Sequence, residues 1–262
     1  SLTVKWIGNT MISFHPDSRF LTDFASANLP VAEAICVSAH LEFCGKCRAH
    51  VQQLKDVGGH LLSQLPPEKL EEDSFTRLMA KIGTAQNIAP ESPVLPETRS
   101  WNESDLENSD ETALRPDSSR GLVDVYLPRS LRRLSSGGLH NLRWAQLGKA
   151  LRVAPLPILG ESRETAIYDI KAGGRMPEHE HRGEEITVLL KGSFSDADGS
   201  YSRGDFVVRN AGEAHQPTAT QDTDCICLVC LERPVRPRGF FYRLIEPLVQ
   251  YRLHKLNRSS AF

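Results

Sequence analysis

The chain changes its hydrophobic period twice. From Asp17 to about residue 82, apolar residues recur at three- and four-residue spacing, the pattern of amphipathic helix. Phe20, Leu21 and Phe24 follow Asp17, whose carboxylate suits a helix N-cap. Pro30 opens a second helix carrying Val31, Ala34, Ile35, Ser38 and Leu41. A third starts near Cys44, with Val51, Leu54 and Val57 on one side and Gly58-Gly59 weakening its end. A fourth follows Pro66-Pro67, with Phe75, Leu78, Met79 and Ile82 on one face. From 84 to 121 the period disappears into Pro, Ser, Asn and acidic residues, including Pro90, Pro93, Pro96 and Pro116, which predicts a solvated flexible linker. Beyond it come short β-prone runs, Thr165–Ile170, Glu185–Leu190, Asp205–Val208 and Cys225–Cys230. Turns at Gly173-Gly174, Asp198-Gly199 and Gly204-Asp205 separate them, a pattern for an antiparallel sandwich or barrel. The expected organisation is multidomain α and β: a four-helix domain over 11–83, a flexible linker over 84–121, an antiparallel β-barrel domain over 122–250 and a tail over 251–262. Leu244 through Tyr251 reads as helical or irregular.

Composition supports two bodies of unequal security. A chain of 262 residues with 40% hydrophobic and 24% charged residues is globular and long enough for two cores. Four short helices alone make a marginal core, and domains that small commonly need a metal or a partner. A net charge of -2 gives no electrostatic footprint for nucleic acid or an anionic membrane, so a role in transcription would run through another protein. No apolar run approaches the roughly 18–20 residues that span a bilayer. The opening Ser1-Leu2-Thr3-Val4-Lys5-Trp6 lacks the pattern of a signal peptide, so a cytoplasmic location is expected, with Met11 a candidate natural start.

The six cysteines fall in two groups, which in a reducing compartment suits metal or redox chemistry better than a disulfide framework. His40-x3-Cys44-x2-Cys47 has the residue types of a tetrahedral structural zinc site. Cys44 and Cys47 stand at i and i+3 where the third helix begins, and unpaired N–H groups and the helix dipole there favour thiolate. His40 closes the preceding helix, so one ion would pin the corner between the two. A fourth ligand is needed, and spacing leaves two candidates, His15 in the loop before Pro16 and Cys36 on the helical face of His40.

In the second half, Gly173-x5-His179-x-His181-x3-Glu185-x6-Gly192 and then Gly204-x5-Asn210-x-Gly212-x2-His215 resemble the two cupin motifs, with Asn210 where Pro is usual. On extended backbone His179 and His181 point to one side, and Glu185 and His215 complete a set of three imidazoles and a carboxylate. Such a set suits Zn, Fe, Mn or Ni. Cys225 and Cys227 share one face of a strand and are candidate redox thiols, while Cys230 falls on the other. His50, His60, His140 and His254 have no ligand-like company.

Both motif sets occur together in one known family. His15 … Leu29-Pro30 … Ala39-His40-Leu-Glu-Phe-Cys44-Gly-Lys-Cys47-Arg48, followed by Pro177-Glu-His179-Glu-His181-Arg182-Gly183 and Asp224-Cys225-Ile226-Cys227-Leu228, resembles the ChrR type of zinc-binding anti-sigma factor. The resemblance implies a zinc-binding anti-sigma domain ahead of a cupin. It implies zinc held by His15, His40, Cys44 and Cys47, with Cys36 left to packing. It also implies a second divalent metal, expected to be zinc, at His179, His181, Glu185 and His215. The helical part would bind an extracytoplasmic-function (ECF) type sigma factor and keep it from core RNA polymerase. The cupin part would sense singlet oxygen or peroxide and free the sigma factor, with no enzymatic turnover and no small-molecule substrate. The alternatives open from the residues alone are a dioxygenase-like cupin metalloenzyme with a helical accessory domain, or a barrel that only binds a small ligand.

Overall fold

In the computed structural model, residues 12–87 and 125–237 are described, except residues 136, 157 and 159. Most of the expected linker, the Leu244–Tyr251 segment, the tail over 251–262 and Met11 with the residues before it lie outside the described residues. Helix α1, Ser18–Ala25, starts where its cap predicts, with the Phe20 N–H donating to the Asp17 carboxylate at 3.0 Å. Helix α2 spans Val31–Phe43 and α3 spans Gly45–Ser63, running through Gly58 and Gly59. Helix α4, Ser74–Asn87, extends four residues into the expected linker. Among the described residues no helix is long and apolar enough to cross a membrane.

A short helix α5, Arg129–Leu134, leads into strands, twelve of them among the described residues. Six of them form one antiparallel sheet: β1 (Ala145–Leu147), β2 (Leu151–Pro155), β3 (Glu164–Ile170), β11 (Cys225–Leu231), β5 (Glu185–Lys191) and β8 (Phe206–Arg209), in that order. Two three-stranded sheets complete the barrel. One is β10 (Thr218–Ala219), β6 (Ser193–Ser195) and β7 (Ser200–Ser202); the other is β12 (Arg236–Pro237), β4 (His179–Glu180) and β9 (Ala214–His215). The antiparallel cupin barrel behind a helical N-terminal region is the fold class that the sequence predicts.

The chain divides into two compact units, Ser1–His60 with Ser118–Phe262, and Leu61–Asp117. The first three helices up to His60 therefore fold with the barrel. Strand β11 shows why. Cys225, Cys227, Val229 and Leu231 point into the barrel core with Phe194, Tyr201 and Ala219. Ile226, Leu228 and Cys230 point the other way, into a core shared with Phe20, Ala32, Cys36 and Val37 of α1 and α2. All seven strand residues are buried because the sheet is covered on both faces.

The face that α2 uses differs from the expected one. Ala32, Cys36, Val37, Ala39 and His40 are buried, whereas Val31 is exposed. With Glu33, Ser38, His40 and Glu42 spread over opposite sides, α2 carries no apolar period that could select its buried side. The barrel selects it, and also caps it. Pro30 offers no side-chain cap, and the Glu161 carboxylate accepts from the Ala32 N–H at 3.2 Å. Arg163 pairs with buried Glu33 at 2.7 Å. Burial pushes the Glu33 carboxyl up, and the Arg163 charge opposes it. The expectation of two mechanically separate bodies thus gives way, for α1, α2 and the start of α3, to a shared core.

In the second unit, α4 presents Phe75, Leu78, Met79 and Ile82 on one face, as its period predicts, and all four are exposed. Arg77 pairs with Glu71 at 2.5 Å beside that helix start.

Candidate metal centres

His15, His40, Cys44 and Cys47 converge, with one ligand atom from each lying within 4.8 Å of all the others. The local folding explains how. Cys44 is the C-cap of α2, with extended backbone, its N–H donating to the His40 carbonyl at 3.0 Å. That break turns the chain into α3, whose early Cys47 N–H donates to Cys44 Sγ at 3.4 Å. His15, in the extended stretch before α1, places Nδ1 3.4 Å from both sulfurs. Cys36 is not in this group; it is buried in the shared core beside Cys230. The two candidates for fourth neighbour are separated by the structure in favour of His15.

The electrostatics of this cluster suit a cation. Burial lowers His40 to about 4, so the ring is neutral. Its Nδ1–H donates to the Gly204 carbonyl at 2.7 Å, and its buried Nε2 has no protein hydrogen-bond partner. Burial, together with Cys44, pushes the Cys47 thiol up to about 12. Two imidazoles and two buried sulfurs form a soft donor set, and a divalent cation is what would stabilise its thiolate form.

The second cluster is His179, His181 and His215. Strands β4 and β9 pair so that His179 stands opposite His215, and the His181 N–H donates to the Glu213 carbonyl at 2.9 Å. The ring centroids lie 5.1, 4.6 and 4.9 Å apart, so the three imidazoles surround one point. His179 Nε2 and His215 Nε2 are 3.0 Å apart. Tetrahedral zinc with nitrogen bonds of about 2.0 Å sets ligands roughly 3.3 Å apart, so little movement is required. Burial lowers His179 to about 4, His181 to about 3 and His215 below its usual range, leaving rings in the neutral form that metals bind.

Glu185 is adjacent to this triad without belonging to the convergent group. Its Oε2 lies 3.5 Å from His181 Nδ1, and its Oε1 accepts from the Thr187 hydroxyl at 3.0 Å. Burial pushes its carboxyl up to about 7, and a cation nearby would offset that cost. His179, His215 and Glu185 line a cavity of about 410 Å³ whose wall is largely apolar, with Leu151, Tyr168, Phe194 and Val229 among its side chains. Cys227 also lines it, and Cys225 Sγ lies 3.6 Å from Cys227 Sγ in the barrel core.

Sequence reasoning missed the support around these ligands. Asp196 accepts from His215 Nδ1 at 2.9 Å and pairs with Arg209 at 2.7 Å. Burial raises the Asp196 carboxyl, but the hydrogen bond from His215 and the Arg209 charge outweigh it and hold it low. In the sequence, Asp196-Ala-Asp198-Gly reads only as a turn. Gly204, legible in the sequence as a turn and cupin-motif glycine, is the residue that anchors His40.

A cupin barrel with three convergent imidazoles, preceded by helices that gather two histidines and two cysteines, defines a class of two-cluster cupin proteins fitted for metal binding. Comparison with known proteins narrows the class. A family model described as the ChrR cupin-like domain matches residues 137–234. The anti-sigma-E factor ChrR of Cereibacter sphaeroides is 30% identical over 236 residues, 90% of this chain and 97% of that protein. The crystal structure of Rhodobacter sphaeroides SigE in complex with the anti-sigma ChrR matches with a TM-score of 0.62 and 29% identity, covering 84% of this chain and 99% of that one. The chain belongs to the ChrR family.

Proposed function

We propose that this protein is a cytoplasmic, zinc-dependent anti-sigma factor that sequesters an ECF-type sigma factor and releases it on an oxidative signal. The observation that carries the reading is the match along nearly the whole of a relative solved in complex with a sigma factor. The α4 face supports it: four large apolar side chains on one exposed side are a costly surface unless a partner covers them. A regulator rather than an enzyme is the reading favoured by kinship with an anti-sigma factor.

Zinc at His15, His40, Cys44 and Cys47 supplies a cross-link among α3, the α2 end and the segment before α1. These residues hold the helix corner in one geometry. In the barrel, His179, His181 and His215 hold a second divalent metal, which we take to be zinc, and Glu185 contributes the charged fourth ligand. The signal, singlet oxygen or peroxide, acts at the barrel cavity, where Cys225 and Cys227 are the candidate thiols. It reaches the helices because His40 is tied to the barrel turn at Gly204. Co-expression with an ECF sigma factor encoded beside the gene tests the reading. A stable one-to-one complex is expected, and full-length protein that leaves the sigma factor free would overturn it.

A further inference from the structure

We propose that Asp196 and Arg209 form a positioning pair that fixes the tautomer of His215, so that its Nε2 faces the other two imidazoles of the barrel. The inference rests on the reading of the triad as a metal site.

Asp196 follows β6 directly and divides its two oxygens between separate tasks. Its side chain is fully buried. Oδ1 serves the β6–β7 turn, accepting from the Asp198 N–H at 3.0 Å, the Gly199 N–H at 3.2 Å and the Tyr201 hydroxyl at 3.4 Å. Oδ2 faces the other way and accepts from Arg209 Nη2 at 2.7 Å and from His215 Nδ1 at 2.9 Å. A carboxylate paired with a guanidinium only accepts, so the neutral His215 ring must carry its hydrogen on Nδ1. Its lone pair is then on Nε2, the atom 3.0 Å from His179 Nε2. Arg209 is itself held, donating to the Tyr201 hydroxyl at 2.8 Å and pairing with Asp198 at 2.8 Å and, more distantly, with Glu213 at 3.9 Å.

The other two rings lack such an orienter. His179 Nδ1 faces the neutral Pro177 carbonyl at 3.0 Å, and His181 Nδ1 stands 3.5 Å from Glu185 Oε2, with neither nitrogen of His181 hydrogen-bonded. His215 is therefore the imidazole of the three whose Nδ1 is hydrogen-bonded to a carboxylate. A carboxylate behind a metal-binding histidine fixes ring orientation and raises ligand basicity.

The isosteric change Asp196→Asn breaks this arrangement in either amide orientation. With its NH2 at the Oδ2 position it meets two donors, Arg209 and His215 Nδ1–H. With its NH2 at the Oδ1 position it meets the two backbone N–H groups of the turn. The first case drives the His215 hydrogen to Nε2, the nitrogen needed for the metal.

The test uses the full-length chain with Asp196→Asn and, separately, Arg209→Gln, which leaves the turn hydrogen bonds in place. Nitrogen-15 imidazole NMR of metal-free protein reads the tautomer without any metal. His215 is expected as the Nδ1–H form in the wild type and shifted toward Nε2–H in Asp196→Asn. Cobalt(II) titration then reads the barrel site, with the thiolate charge-transfer band of the N-terminal cluster as an internal control. Barrel affinity should fall about 10–100-fold in Asp196→Asn, and less in Arg209→Gln, while the thiolate band holds. A folded Asp196→Asn variant with unchanged tautomer and unchanged cobalt affinity would overturn the proposal. If Asp196→Asn does not fold, an Arg209→Gln variant unchanged in both readouts overturns it instead. A wild-type barrel that takes no cobalt, with a tautomer that still follows Asp196, would uphold the positioning and reject the metal reading.

Discussion

His40 Nδ1 donates to the carbonyl of Gly204 at 2.7 Å, which ties a helical residue of the His/Cys cluster to a turn of the barrel. The bond leaves Nε2 free of hydrogen and turned toward the cysteines. Gly204 meets this geometry with φ at +94°, and a Cβ there would lie 2.8 Å from Ile12 Cδ1 and 3.0 Å from Phe43 Cβ. The left-handed backbone alone costs an alanine about 1–2 kcal/mol. Gly204→Ala should therefore lower stability by at least that amount in denaturant unfolding. It should also loosen zinc at the N-terminal cluster, whereas a variant that keeps both stability and zinc would disconnect the two sites.

The shared core makes a second prediction. Phe20 is buried and packs edge-on against Phe206 of β8 at 5.4 Å between centroids. Phe20→Ala should cost about 3–5 kcal/mol, and helix and barrel signals should shift together in one transition. Separate transitions, with the barrel unmoved, would mean that the helices only rest on the sheet.

Metal uptake at the N-terminal cluster should release protons. In the metal-free fold, burial and Cys44 keep the Cys47 thiol protonated, up to about 12. Binding requires thiolate, so the metal-bound state carries fewer protons and affinity rises with pH. Chelator competition should show zinc held more weakly at pH 6 than at pH 8, by up to about tenfold per pH unit for each thiol proton released. Equal affinity at both values would exclude thiolate ligation.

Much of this was legible in the residues. Asp17 marked the α1 cap, the 3.6-residue period marked α4, and the two-residue period placed Cys225 and Cys227 on one face with Cys230 on the other. His-x3-Cys-x2-Cys named three members of one cluster, and His-x-His named two of the other, because local spacing fixes local geometry. What spacing could not carry was long-range. Glu161 capping α2, Arg163 on Glu33 and Asp196 behind His215 join residues far apart in the chain. Helix α2 is apolar on most sides, so only its docking on the barrel shows which side is buried.

The α4 stripe makes a prediction that separates binding from folding. Leu78 and Met79 are 54% and 50% exposed, so charges there disturb little internal packing. Leu78→Asp with Met79→Asp should leave the melting temperature within a few degrees. It should weaken capture of the sigma factor by at least about 2 kcal/mol, the scale of an interface hot spot. Unchanged capture in pull-down titrations would move the partner surface elsewhere.

The most direct measurement is competition for the sigma factor. Core RNA polymerase is mixed with the ECF sigma factor encoded beside the gene, with and without an equimolar amount of the zinc-loaded chain. The account expects the chain to withdraw the sigma factor from the polymerase and to return it when peroxide or singlet oxygen is supplied. Holoenzyme forming to the same extent with the chain present as without it would contradict the account.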